Sequence, residues 1–368
     1  MSATVMRIAY TVEQSWHRVP GGTAVAALRV AREFLSNPEF SSEVDLRFVA
    51  GKHPAPPDPL YAPPAPVAML PLGRRALYEG WTRLNWPKVE SVAGVVDVVH
   101  ATGLIPAATS APLVVTVHDL AFLHTPEKFT RRGASLMKRS IETTRRRAQR
   151  VICSSQVTVD DCIAQGFEPE RLRLVPLGVD ATPATSEELA TARSRHDLPS
   201  EFVLFVGTVE PRKNLRRLVE AMRALHADGL ELPLLVVGAD GWGDVRSDLD
   251  DAHVRFLGSV SDADLRALFA SAAVMAYPSE QEGFGLPVIE AMAQGTAVVT
   301  SRGTSTEEVA GGAAVLIDPF DSADIARGIA AAYERRSELG EPGRARASEL
   351  TWEHSARATL AVYRELAS

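Results

Sequence analysis

Short apolar runs separated by helical periodicity dominate the first half of the chain. RIAYTV is followed by a helix predicted from about Thr23 to Leu35, and then come VDLRFVA, VVDVVHA, LVVTVHDL, RVICSS and RLRLVPLG. This βα alternation predicts a parallel sheet. Between VDLRFVA and VVDVVHA lies KHPAPPDPLYAPPAPVAMLPLG, whose prolines exclude helix and strand interiors and predict a long loop. After PLGVD, the segment ATPATSEELATARSRHDLPS is polar and poor in apolar positions, which marks residues 179–199 as a linker. A second alternating set follows: FVLFVG, LPLLVVG, VRFLG, AVMAYPS, AVVTS and AAVLI read as strands, with NLRRLVEAMRAL, DADLRALFASA and LPVIEAMAQ as helices between them. The chain therefore reads as two similar α/β domains in tandem, residues 1–178 and 200–351. A helix over 352–368 ends it, with Trp352, Ala356, Leu360 and Tyr363 on one face.

A length of 368 residues suits two domains of ordinary size, and a hydrophobic content of 46% allows each a core. No run approaches the length of a membrane span, and MSATVMRIAY leads into a strand without the apolar stretch of a signal peptide, so a cytoplasmic protein is expected. Cys153 and Cys162 are too few for a disulfide framework and lack metal-ligand spacing; both read as reduced packing residues. Charge is uneven. Residues 1–180 hold 21 Lys and Arg against 17 Asp and Glu, a net +4, whereas the remainder holds 18 against 29, a net -11. Much of the positive charge falls in RRGASLMKRSIETTRRRAQR, residues 131–150, where Met137, Ile141, Thr144 and Ala148 recur at helical spacing. Such a helix either rests on an anionic membrane or presents an ordinary solvated face. Nucleic acid is not expected as a partner, because the chain is acidic overall and no aromatic residues interleave with these arginines.

The densest chemistry lies in EQEGFGLPVIEAMAQG, residues 280–295, where Glu282 and Glu290 flank a glycine-rich turn running into a helix. Gly283 and Gly285 let the backbone approach a ligand closely, and Pro287 suits the first helical position, where its missing N–H is not needed. The helix N-terminus then faces a phosphate or a sugar hydroxyl, with Glu290 in the first turn placed to accept ribose hydroxyls. A capped helix after a surface turn would use the same residues. FVLFVGTVEPRKNLRRLVEAM puts Gly207 at a strand end and Arg212-Lys213 in the loop before a helix starting near Asn214, a setting suited to a diphosphate. His118 follows LVVTV at a strand end, where open α/β sheets bind ligands; Asp119 beside it also fits as a turn cap. Near the start, Gly21-Gly22 form a turn opening a helix, able to bring backbone N–H groups against a phosphate. Rival motifs are weaker. GADGWGD has the wrong glycine spacing for a dinucleotide fingerprint, Asp248-Leu249-Asp250 sits in a polar acidic connection without a preceding apolar strand, and no GxSxG elbow or HExxH helix is present.

Taken together, these segments resemble glycosyltransferase family 4 over nearly the whole chain, most strongly from Phe202 to Asp318. The departure is at Thr208, where an arginine commonly follows the glycine; Arg212 takes its place. The resemblance implies an α/β GT-B architecture, two Rossmann-like domains facing each other across a cleft with the terminal helix crossing back to the first. It implies a retaining, metal-independent glycosyltransferase that moves a hexose, such as mannose, from a nucleotide-diphosphate sugar to a hydroxyl of a glycan or lipid-linked acceptor, without a cofactor. His118 and Glu282 would be catalytic. Arg212, Lys213 and Gly22 would hold the donor diphosphate, and Gly283, Phe284, Gly285, Leu286 and Glu290 the donor sugar and ribose. Ser259–Ser261 would lie near the nucleobase, and GRRALYEGWTRLNW near an acceptor. The variant GTVEPRKN with VHDLAFLHTPEKF looks like bacterial transferases of cell-surface polysaccharide assembly, which places the protein in the cytoplasm, with peripheral contact at the inner membrane face through residues 131–150. A sugar-nucleotide epimerase, a phosphorylase and a non-catalytic nucleotide-sugar or glycan-binding protein share the architecture and stay open at this point.

Overall fold

The computed structural model describes residues 5–126, 130–239 and 251–367. It divides into two compact units: one runs to Gly178 and resumes at Trp352, and the other spans Val179–Thr351. The first holds β1 (Met6–Thr11), β2 (Val44–Ala50), β3 (Val67–Met69), β4 (Val98–Ala101), β5 (Leu113–Val117), β6 (Arg150–Cys153) and β7 (Leu172–Leu174). These pair in parallel in the order β3-β2-β1-β4-β5-β6-β7. The second holds β8 (Val203–Val206), β9 (Leu234–Val237), β10 (Val254–Gly258), β11 (Val274–Tyr277), β12 (Ala297–Ser301) and β13 (Val315–Ile317), again parallel, in the order β10-β9-β8-β11-β12-β13. Both sheets reverse their strand order once, between β1 and β4 and between β8 and β11. Open α/β sheets of this kind bind ligands in the crevice at that reversal, beyond the strands' C-terminal ends. The central strands are buried on both faces, as their unbroken apolar runs require.

Two expectations need correction. The proline-rich stretch is not all loop: Val67–Met69 pairs with Phe48–Ala50 as an edge strand. Its three residues fall between prolines rather than on them, and an edge position demands little of the chain. Residues 179–199 belong to the second unit and carry a helix, Ser186–Arg195. Thr185 and Glu188 form a capping box at its start, and Arg195 meets the buried Asp264 at 2.6 Å while Glu188 pairs with Arg266. Caps and ion pairs thus take the place of a broad apolar face.

The last helix, Trp352–Arg364, packs on Gly21–Ser36 in the first unit. Trp352, Ala356, Leu360 and Tyr363 are buried, and the Tyr363 ring stacks on Phe34. The Tyr363 hydroxyl lies 2.6 Å from Nδ1 of His100, whose Nε2 lies 2.8 Å from Thr116 Oγ1. Burial pushes His100 down to about 3. Its neutral ring therefore gives one hydrogen bond and takes another. Cys153 and Cys162 are buried free thiols with sulfurs 3.9 Å apart.

Candidate active site

Residues that two different strands deliver to the β8/β11 reversal are stitched together by their own polar groups. Past β8, Pro211–Lys213 make one 3-10 turn and Asn214 takes the left-handed conformation (φ 62) before the helix Leu215–Ala227. The Asn214 side chain donates to the Pro278 carbonyl at 3.0 Å and the Pro319 carbonyl at 2.6 Å. In return the Arg212 carbonyl accepts from the Glu280 N–H at 2.9 Å and from Ser279 Oγ at 3.1 Å. The loops after β8 and β11 are thereby held as one platform.

On that platform Arg212, Lys213 and Glu282 meet. Lys213 Nζ lies 2.5 Å from Glu282 Oε1, which also accepts from Ser279 Oγ at 2.7 Å and from Tyr277 Oη at 3.1 Å. Arg212 Nη1 lies 3.2 Å from Glu282 Oε2 and donates to the Gln281 carbonyl at 3.0 Å, while its Nε lies 2.7 Å from Glu210 Oε1. Lys213 also donates to Tyr277 Oη. Glu282 is only 8% exposed. Burial opposes its charge, but Arg212 and Lys213, with the hydrogen bonds from Lys213 and Ser279, outweigh burial and hold the carboxyl at about 2. Lys213 is itself pushed down, chiefly by burial, so the two partners' shifts pull in opposite senses. Two cations shared between Glu282 and Glu210, all within hydrogen-bonding reach, favour the ionised cluster at neutral pH. Burial pushes the Tyr277 hydroxyl well up, which keeps its proton available for donation.

Glu282 leads directly into the second part of the site. Gly283 and Phe284 are buried, and Gly285 takes φ 104 with Thr306 packed where a side chain would project. Ser305 Oγ anchors the turn by donating to the Glu282 carbonyl at 2.7 Å. The helix Leu286–Ala293 then begins, with no side-chain cap at its N-terminus. It starts at Leu286, so Pro287 is the second helical residue and Glu290 the fifth. Glu290 is half-buried just beyond the first turn, a correction to the expected placement within it.

His118 and Gly22 belong to the first unit. His118 directly follows β5, and its carbonyl accepts from Ser154 Oγ at 3.1 Å and Thr158 Oγ1 at 3.0 Å. Burial lowers its pKa, against an opposing pull from Asp119. Asp119 Oδ1 caps the next turn by accepting the Ala121 N–H at 3.0 Å. Gly22 lies in the first turn of Gly21–Ser36, after Gly21 at φ 61. The second unit thus gathers Arg212, Lys213, Glu282, Gly283, Phe284, Gly285, Leu286 and Glu290 on two neighbouring loops and the helix that follows one of them, while His118 follows a strand and Gly22 opens a helix of the first unit. Ser261 caps the helix Asp262–Ser271. GADGWGD continues past residue 239, so most of it, like Asp248-Leu249-Asp250, lies outside the described residues. Sequence reasoning missed Glu210, Asn214, Tyr277 and Ser279. Their signal was proximity alone, since each ends a strand or lies within two residues of a strand end or of a residue already singled out.

This architecture, two Rossmann-like sheets with a charged helix-turn site on the second, is the GT-B fold of glycosyltransferases. The Anabaena HepE protein, crystallised with UDP and glucose, superposes with a TM-score of 0.75 at 19% identity over 98% of this chain and 100% of its own. WaaG, a glycosyltransferase involved in lipopolysaccharide biosynthesis, superposes with a TM-score of 0.71 at 18% identity over 97% and 99%. A model of group 1 glycosyl transferases matches residues 186–348 and a model of glycosyltransferase family 4 matches residues 20–182. An O-antigen chain mannosyltransferase B of Escherichia coli is 31% identical over 69% of this chain and 70% of its own. An MMP alpha-(1->4)-mannosyltransferase of Mycolicibacterium hassiacum is 30% identical over 73% and 71%. The chain belongs to glycosyltransferase family 4.

Proposed function

We propose that this enzyme is a hexosyltransferase that moves mannose from a nucleoside-diphosphate sugar to a hydroxyl of a glycan or lipid-linked acceptor, with retention and without a metal. The observation that carries this reading is the buried Arg212–Lys213–Glu282 cluster leading into an uncapped helix N-terminus. Departure of the diphosphate builds negative charge, and two fixed cations beside a helix N-terminus stabilise it where a metal would otherwise serve. Backbone N–H groups of Gly283, Phe284, Gly285 and Leu286 face the sugar and phosphate, Glu290 takes the ribose, and Gly22 supports the diphosphate. Glu282, ionised and held by its partners, orients the sugar and offsets positive charge developing on the ring. The bond from the anomeric carbon to the diphosphate oxygen breaks, the acceptor oxygen bonds to that carbon on the same face, and the acceptor proton passes to the leaving oxygen. His118 orients the acceptor or a donor-sugar hydroxyl. The mannose assignment draws on the two mannosyltransferases above.

Titration of GDP, UDP, ADP and dTDP and their sugars in EDTA is expected to show tight binding of one nucleotide. Glu290→Ala should weaken that binding about tenfold, the cost of a charge-assisted hydrogen bond. His118→Ala should keep it and lower transfer by about a hundredfold, the scale of one positioned polar group. If both variants bind and transfer like the parent, the site is misplaced; turnover of the donor without acceptor would instead indicate an epimerase.

No described helix is long and apolar enough to cross a membrane. We also propose peripheral contact through the helix Arg131–Arg147. Arg139 and Arg147 turn inward, to Glu79 and to the Trp81 and Ala107 carbonyls, while Arg131, Arg132, Lys138, Arg145 and Arg146 are exposed. Cosedimentation with anionic vesicles at low salt, lost at high salt, is the expected result. Failure to sediment at low salt would make this an ordinary solvated face.

A further inference from the structure

Glu210 has no part in the transfer described above, yet it is only 2% exposed. It stands at the start of the 3-10 turn Pro211–Lys213, and its carbonyl accepts the Lys213 N–H at 3.1 Å. Its carboxylate meets the Nε edge of Arg212 at 2.7 Å, while the other end of that guanidinium meets Glu282 and the Gln281 carbonyl. Arg212 is therefore gripped at both ends, and Glu210 and Glu282 balance the charges of Arg212 and Lys213. A grip through Nε fixes a guanidinium plane in a way that a contact to one terminal nitrogen does not.

The charge has a second effect. Transfer turns a sugar diphosphate into a free nucleoside diphosphate, whose exposed terminal phosphate carries additional negative charge at neutral pH. Two unopposed cations would then hold the product more tightly than the donor. We propose that Glu210 is a positioning residue for Arg212 whose charge keeps the site from retaining the nucleoside diphosphate product. The inference rests on the assignment of Arg212 and Lys213 to the donor diphosphate.

The test compares parent, Glu210→Gln, Glu210→Asp and Arg212→Ala by calorimetry with GDP, UDP and inorganic pyrophosphate at low salt, alongside steady-state transfer. Glu210→Gln is expected to bind the parent's preferred nucleoside diphosphate about tenfold more tightly, the scale of one unit charge acting through several ångströms of protein. Its kcat should fall as product release slows, with stronger product inhibition, a combination that a merely structural role would not produce. Equal or weaker product affinity in a folded Glu210→Gln, with Arg212→Ala weakened, overturns the role of Glu210 alone. Arg212→Ala binding like the parent overturns the diphosphate assignment and this inference with it. Should Glu210→Gln fail to fold, Glu210→Asp, which withdraws the carboxylate by one methylene, is expected to tighten product binding severalfold. No tightening there, or no fold for either variant, assigns Glu210 to folding and overturns the proposal.

Discussion

Exchanging Lys213 for alanine is expected to lower kcat/KM by about two to three orders of magnitude, the range for removing one fixed donor to a developing anion. Two effects add. The leaving diphosphate loses a cation, and Glu282 loses the ammonium 2.5 Å from its Oε1 while remaining buried. Single-turnover transfer and nucleotide titration separate chemistry from binding, and a variant close to the parent in both would place the diphosphate elsewhere. The same pair has a pH signature. The Glu282 carboxyl stands at about 2 instead of its ordinary 4.5. A carboxyl depressed by folding contributes stability that is complete above its unfolded value and lost as pH falls through the folded one. The difference in urea midpoint between the parent and Glu282→Gln should therefore change between pH ~5 and ~2 and be level above that window.

Gly238→Ala is expected to cost about 3 kcal/mol or more and to abolish nucleotide binding with it. Gly238 follows β9 at φ 143, and a Cβ there would lie 2.1 Å from the Gly207 carbonyl oxygen. Backbone cannot swing aside as a flexible side chain can. The displacement would fall on the loop that begins at Gly207 and carries Glu210, Arg212 and Lys213. Gly229→Ala is the control: its φ is 90, but nothing stands within 4 Å of the added carbon. It should lose only about 1–2 kcal/mol, the penalty for a side chain in left-handed backbone. Thermal midpoints and nucleotide titrations of the two decide the matter, and equal losses would remove the close approach of β8 and β9 as the reason.

Much of the architecture was legible because parallel strands buried on both faces must be apolar without interruption. Leu113–Val117 and Val203–Val206 are such runs, and both are strands as read. Elements stabilised by other means were harder to see. Ser186–Arg195 has few apolar positions and looked like a linker, although Thr185 and Glu188 already carried the spacing of a capping box. Val67–Met69 was obscured by neighbouring prolines and has only three residues to announce itself. In the site, Glu282, Gly285 and the Arg212-Lys213 pair lie close together in chain segments whose glycines and proline mark unusual backbone. Glu210 carried no comparable mark. Its burial follows from how two loops meet, and a lone glutamate before a proline reads equally well as solvated.

The pairing of Tyr363 with His100 also bears on how the molecule is made. During synthesis the strands of the first unit emerge long before Trp352–Arg364, and the whole span Val179–Thr351 intervenes. Until then the face of Gly21–Ser36 that receives this helix has no cover, and His100 has no phenol at its Nδ1. Every residue of the second unit is therefore synthesised before the helix that completes the first, unlike a chain whose N-terminal domain is contiguous and can fold first. Emergence of Trp352–Arg364, rather than of the last strand of the first sheet, is the event that seals that core.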